Sequence, residues 1–144
     1  MRNVVAILML AFFPLNVFAA DPVNDDEEMG HVAGIILACG AYKPLYQFEE
    51  ILSRYISNTS RNPEIEKARL RQYARAKLSS FTIYRNRKDE CVSAISDFTR
   101  MPIFKTTLYS DGSLRMPDGK FLYPRGQKKL AEKAEKIYPA TRKK

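Results

Sequence analysis

The chain reads as a mainly α fold: a small helical bundle stapled by one disulfide, with a short C-terminal β-hairpin or meander and a terminal helix. Three observations lead there. Apolar residues recur at spacings of three and four through positions 31–101. Two cysteines, Cys39 and Cys91, each fall on one of these helical stretches. After Pro102 the pattern changes to short β-prone runs parted by Asp-Gly pairs.

The N-terminal residues stand apart from this pattern. MRNVVAILMLAFFPLNVFAA carries one charge at Arg2, an apolar run from Val4 to Phe13 and the helix breaker Pro14. Val17 and Ala19 are small enough for the −3 and −1 positions of a signal peptidase. A membrane span needs roughly 20 apolar residues, and the uninterrupted run is about half that. Residues 1–19 are therefore expected to be a cleaved signal peptide, which sends the rest to a periplasmic or secreted location. Residues 20–30, with Asp21, Asp25, Asp26, Glu27 and Glu28, read as an acidic flexible leader. Residues 31–138 are the size of one globular domain, and residues 139–144 form a basic tail.

Within the domain, HVAGIILACGAY is a buried helix, and Leu45, Phe48, Leu52 and Tyr55 mark one face of the next, with Pro44 expected to kink or divide the stretch. Asn62, Pro63 and Glu64 form a helix start: a capping side chain, a proline at N1 and a carboxylate at the positive end of the dipole. That helix carries Leu70, Tyr73, Ala74, Phe81 and Tyr84 on its expected apolar side. Cys91, Ala94, Ile95 and Phe98 define a further helix that Pro102 stops. Residues 103–123 give short strands, with Asp111-Gly112 and Asp118-Gly119 suited to turns that need positive φ. QKKLAEKAEKIYP, within 126–138, is read as a terminal helix with Leu130, Ala134 and Ile137 on one side.

An exported pair of cysteines is expected to be oxidised, and a Cys39–Cys91 bridge pins the first helical region to the third. Closing that loop is worth about 4 kcal/mol in the chain-entropy model. A redox role is disfavoured because there is no C-x-x-C motif and no cationic flank.

The chemistry available to an enzyme is thin. His31 is the single histidine; with both cysteines bridged, neither a Cys/His metal site nor a Ser-His-Asp triad is supported. No metal and no cofactor are expected. Glu49-Glu50 and Glu64-x-Glu66 read as helix surface and cap charge rather than a catalytic pair. GHVAG and GIILACG match neither a P-loop nor a dinucleotide fingerprint. The expectation is a non-catalytic protein that acts by binding.

Charge suggests what it binds. The formal net charge is +8, and from residue 99 onward twelve Lys or Arg stand against four Asp or Glu. Lys67, Arg71 and Arg75 recur every four residues, and Lys128, Lys129, Lys133, Lys136, Arg142, Lys143 and Lys144 crowd the C-terminal end. Together they form a candidate basic surface for an anionic envelope component or an acidic protein. The plainer reading is a solvated surface laced by pairs such as Glu132 with Lys136. Export removes nucleic acid from the expected partners, and no transmembrane segment is expected after cleavage. A candidate binding loop spans residues 110–126, with Asp111, Gly112, Asp118, Gly119 and Arg125. Two functions fit: an envelope binding protein of chaperone, inhibitor or immunity type, or a secreted effector-like protein that uses its basic surface.

Overall fold

The computed structural model describes residues 26–139. The expected signal peptide, the start of the acidic leader and the tail with Arg142, Lys143 and Lys144 lie outside the described residues. Helices α1 (Asp26–Ala38), α2 (Tyr42–Thr59), α3 (Pro63–Tyr84) and α4 (Cys91–Thr99) precede a 3-10 turn (Pro102–Lys105). Strands β1 (Thr107–Tyr109), β2 (Leu114–Arg115), β3 (Phe121–Leu122) and β4 (Lys136–Tyr138) follow. All the strands pair antiparallel, in the order β3-β2-β1-β4. The protein is mainly helical with a small C-terminal sheet.

Local chemistry explains most boundaries. Asn62 caps α3 by accepting the Ile65 N–H at 2.9 Å, with Pro63 in the first turn. The break between α1 and α2 falls at Gly40, whose φ of 74° closes the end of α1. Pro44 does not divide the chain; it sits in the first turn of α2, where no backbone donor is lost.

The seam between α1 and α3 is made of small residues. Gly30 and Gly34, four apart, face Ala76 and Ser80 so closely that a Cβ built on either glycine would meet α3 backbone oxygens at 2.4 Å and 2.3 Å. Because α3 is held through Tyr73, Ala76 and Ser80, its expected apolar face is corrected: Leu70 and Ala74 are exposed, and Phe81 and Tyr84 are half-buried.

The acidic leader is also shorter than expected, since helix α1 already begins at Asp26. This residue is only 6% exposed and accepts a forked pair of bonds from Arg69 of α3, at 2.7 Å and 3.0 Å. Glu49 of α2 accepts from the Tyr73 hydroxyl at 2.6 Å and from the Lys77 ammonium. Burial, then this bond to Glu49, holds the Tyr73 phenol above its ordinary pKa.

Cys39 and Cys91 are disulfide-bonded, with Cα atoms 5.4 Å apart, so the end of α1 is tied to the start of α4. Lys88 donates to the Ala38 carbonyl beside the bridge. Inside, Phe48 of α2, Phe98 of α4 and Phe104 of the 3-10 turn cluster with centroids 4.9 to 6.3 Å apart. The sheet lays Leu108, Leu114 and Leu122, one register row across three strands, toward this core. Asn58 of α2 fastens it by donating to the carbonyls of Gly112 and Leu122.

The expected terminal helix is absent, and residues 126–135 run as turns into β4. Leu130, Ala134 and Ile137 offer too little apolar surface to hold a short helix against a core. Competing partners take its backbone: Asp111 accepts the Ala131 N–H, Ser110 accepts the Glu135 N–H, and β4 pairs with β1.

Gly34→Ala tests the seam. Alanine raises intrinsic helix propensity by about 1 kcal/mol, yet here it must push α1 off α3, an overlap that costs about 1–3 kcal/mol or more. We expect net destabilisation and a melting temperature lower by about 5 °C or more, read by circular dichroism. A higher melting temperature would show the seam to be slack.

Candidate functional site

A pocket of about 250 Å³ opens where α2, the 3-10 turn and the β2–β3 hairpin meet. Helix α2 contributes Tyr55 and Thr59, the 3-10 turn and its exit contribute Pro102, Ile103 and Thr106, and the hairpin contributes Met116, Pro117, Asp118, Lys120 and Leu122. A cavity of about 150 Å³ lined by apolar groups takes a benzene ring, so this one has room for a group of that size.

Its walls are rigid for reasons visible residue by residue. Pro102 and Pro117 have fixed φ. In the hairpin turn Asp118 accepts the Lys120 N–H at 2.9 Å, and Gly119 has φ of 88° and donates to Met116. On the opposite wall the Arg69 guanidinium reaches past Asp26 to the Thr59 hydroxyl at 2.7 Å and lies 5.9 Å from the Tyr55 ring centroid.

One wall residue is out of balance. Thr106 is 0% exposed, and its Oγ1 has no hydrogen-bond partner. Leaving a buried hydroxyl unpaired costs about 1–3 kcal/mol.

The structure distributes the sequence-predicted loop residues among different tasks. Asp118 and Gly119 shape the pocket's rim. Asp111 and Gly112 form the β1–β2 turn, where Gly112 has φ of 84° and Asp111 organises the C-terminal segment. Arg125 pairs with Glu66 of α3 at 2.9 Å. The candidate basic residues lie on separate elements: Lys67, Arg71 and Arg75 on α3, Lys128, Lys129 and Lys133 in the turns after β3, and Lys136 on β4.

Sequence reasoning missed the deeper wall, Tyr55, Ile103 and Thr106, because these positions read as helix core and a β-prone run, and nothing local brings them together. The Met116-Pro117-Asp118-Gly119 turn was the one legible signal.

Other potential chemistry is engaged elsewhere. His31 bonds Ser80 at 2.9 Å, Glu49 and Glu66 are each paired with a cation, and no group of His, Cys, Asp or Glu among the described residues is arranged to hold a metal. Among the described residues no helix is long and apolar enough to cross a membrane. Comparison with models of known protein families, with curated proteins and with solved structures finds no match.

Two outcomes follow from this geometry. Thr106→Val removes the unpaired hydroxyl, so the free protein should melt a few degrees higher, by about 1 kcal/mol of stability; a lower melting temperature would show that the hydroxyl already has a partner. Asp111 carries the second. Burial pushes its pKa up, but donation from the Ala131 and Ser113 amides, Gln127 and the Ser113 hydroxyl outweighs it and holds the carboxyl below its ordinary 3.8. A depressed pKa stabilises the fold above that value and ceases to as pH falls through the folded value. Asp111→Ala should therefore lower the melting temperature at neutral pH, with the gap to wild type narrowing as pH drops below 3.8. A pH-independent gap would count against this role.

Proposed function

We propose that the protein is an exported, non-catalytic binding protein of the envelope, of chaperone, inhibitor or immunity type, that holds an aromatic side chain of a partner protein in the pocket beside the β2–β3 hairpin. The pocket itself carries the reading: Tyr55, Ile103, Met116 and Leu122 give it an apolar lining, and Thr59, Asp118 and Lys120 bring a few polar groups to it. Such a lining suits the ring of a tyrosine or tryptophan, which joins a large apolar body to a polar tip. The rim supports binding too: Asp118 accepts its own turn's amide, which preorganises the hairpin for recognition. Lys120, exposed beside it, has no carboxylate within ion-pair distance among the described residues and is placed to meet a partner's acidic group.

The competing reading is a secreted effector-like protein that works through its C-terminal lysines, and one experiment separates the two. Tagged wild-type protein is used to capture partners from envelope and culture fluid, beside Met116→Trp and Lys120→Trp, which fill the pocket and obstruct its rim. A Lys128→Gln, Lys129→Gln, Lys133→Gln variant is run in parallel, and melting curves show that each is folded. We expect a captured protein whose recovery falls at least about ten-fold, equivalent to 1.4 kcal/mol, with both tryptophan variants and holds with the lysine variant. Undiminished capture by the tryptophan variants would refute the pocket reading, and loss with the lysine variant alone would favour the effector.

A further inference from the structure

From Lys67 to Lys88 the chain carries eight cations, at 67, 69, 71, 75, 77, 85, 87 and 88, and no Asp or Glu. The fold divides them by direction. Arg69 and Lys77 turn inward, to Asp26 and Glu49 of the neighbouring helices. Lys67, Arg71, Arg75 and Arg85 are exposed and have no ion-pair partner among the described residues.

At 100° per residue these four fall within about 80° of the helix circumference and extend over about 27 Å. Leu70, Ala74 and Leu78 form the adjoining row, and Leu78 is 66% exposed and Leu70 37%. The combined face points away from the Gly30 and Gly34 seam, since Tyr73, Ala76 and Ser80 occupy the opposite side of the wheel. Glu27 of α1 borders the face and is engaged with Gln72 and His31.

Like charges spaced four apart on a helix repel one another, and exposed leucines gain nothing from water. Both liabilities disappear against a flat anionic surface with an apolar layer beneath it, and a row about 27 Å long on one straight helix matches such a plane. We propose that the outer face of α3 docks the protein onto an anionic phospholipid membrane, with the Lys67, Arg71, Arg75 and Arg85 heads at the phosphates and Leu70 and Leu78 entering the acyl boundary. A polyanion without an apolar layer, such as nucleic acid, satisfies the cations and leaves the leucines exposed. This face shares no residue with the pocket, so it stands or falls independently of the binding reading above.

The test is cosedimentation of the full chain with vesicles of phosphatidylcholine alone and of phosphatidylcholine mixed equally with phosphatidylglycerol, at low and physiological ionic strength. Any attachment through residues 4–13 is common to every variant and both vesicle types. Wild-type protein should bind the anionic vesicles more tightly, and more weakly as salt rises. Arg71→Gln with Arg75→Gln and Arg85→Gln should weaken that anionic preference by about a hundred-fold, at roughly five-fold per charge. Leu70→Ser with Leu78→Ser should weaken it several-fold, whereas Lys128→Gln with Lys129→Gln and Lys133→Gln should change it little. Equal loss in the α3 and C-terminal variants would reduce the effect to net charge and overturn the proposal, as would a serine pair with wild-type affinity. Binding to an oligonucleotide but not to the vesicles would replace it with a nucleic-acid surface.

Discussion

The close approach of α1 to α3 is the constraint from which the rest of the molecule follows. Gly30 and Gly34 let α1 touch the backbone of α3 at Tyr73 and Lys77, and no larger side chain fits there without separating the helices. With α3 held by this narrow seam, its large apolar residues are not needed for the contact. Leu70 and Leu78 are left on the outside, and Ile65 and Ile83 are also exposed. The same approach brings Asp26 within reach of Arg69 and His31 within reach of Ser80. A wider crossing built on leucines would have buried the greasy side of α3 and lost these polar contacts.

The disulfide acts on the other end of α1. Where the glycine seam fixes α1 against α3, the Cys39–Cys91 bond fixes its last turn to α4, and α4 in turn delivers Phe98 to Phe48 and Phe104. A loop of this length contributes about 4 kcal/mol in the chain-entropy model, a large part of the 5–15 kcal/mol typical of a domain. The sheet depends on this assembly, because strands of two or three residues do not persist alone. They persist here because Leu108 and Leu114 reach the helical core and Asn58 ties two of their carbonyls to α2.

Much of this was legible in the residues. The cap at Asn62, the stop at Pro102 and the Asp-Gly turns each rest on local stereochemistry, the bridge on there being just two cysteines to pair, and each is found where those rules place it. What failed to read required distant partners. The periodicity of α3 suggested an apolar face of Leu70, Tyr73, Ala74, Phe81 and Tyr84 because hydrophobic spacing cannot distinguish a core face from an exposed one when glycines on another helix supply the contact; GHVAG carried that signal in its Gly-x-x-x-Gly spacing. The terminal segment had helical spacing and lost to Asp111, whose hold on Ala131 no periodicity could foretell. The pocket was half legible, its proline-rich hairpin turn evident and its Thr106 wall hidden in a run that read as strand.

The distribution of charge gives the last step. Sixteen acidic residues are available in the chain, enough to neutralise most of α3, and two of them, Asp26 and Glu49, are placed at its inward cations. An excess of base by composition alone would leave inward and outward cations equally unmatched. Instead the inward charges, whose desolvation would be costly, are paired, and the outward row from Lys67 to Arg85 keeps its full potential beside exposed leucines. Acids could have been interleaved on that row at helical spacing with a gain of a few tenths of a kcal/mol per pair, and across twenty-two consecutive positions none is present. On the membrane-docking proposal this one-signed row meets the phosphates, and the adjoining exposed Leu70 and Leu78 meet the apolar layer beneath them.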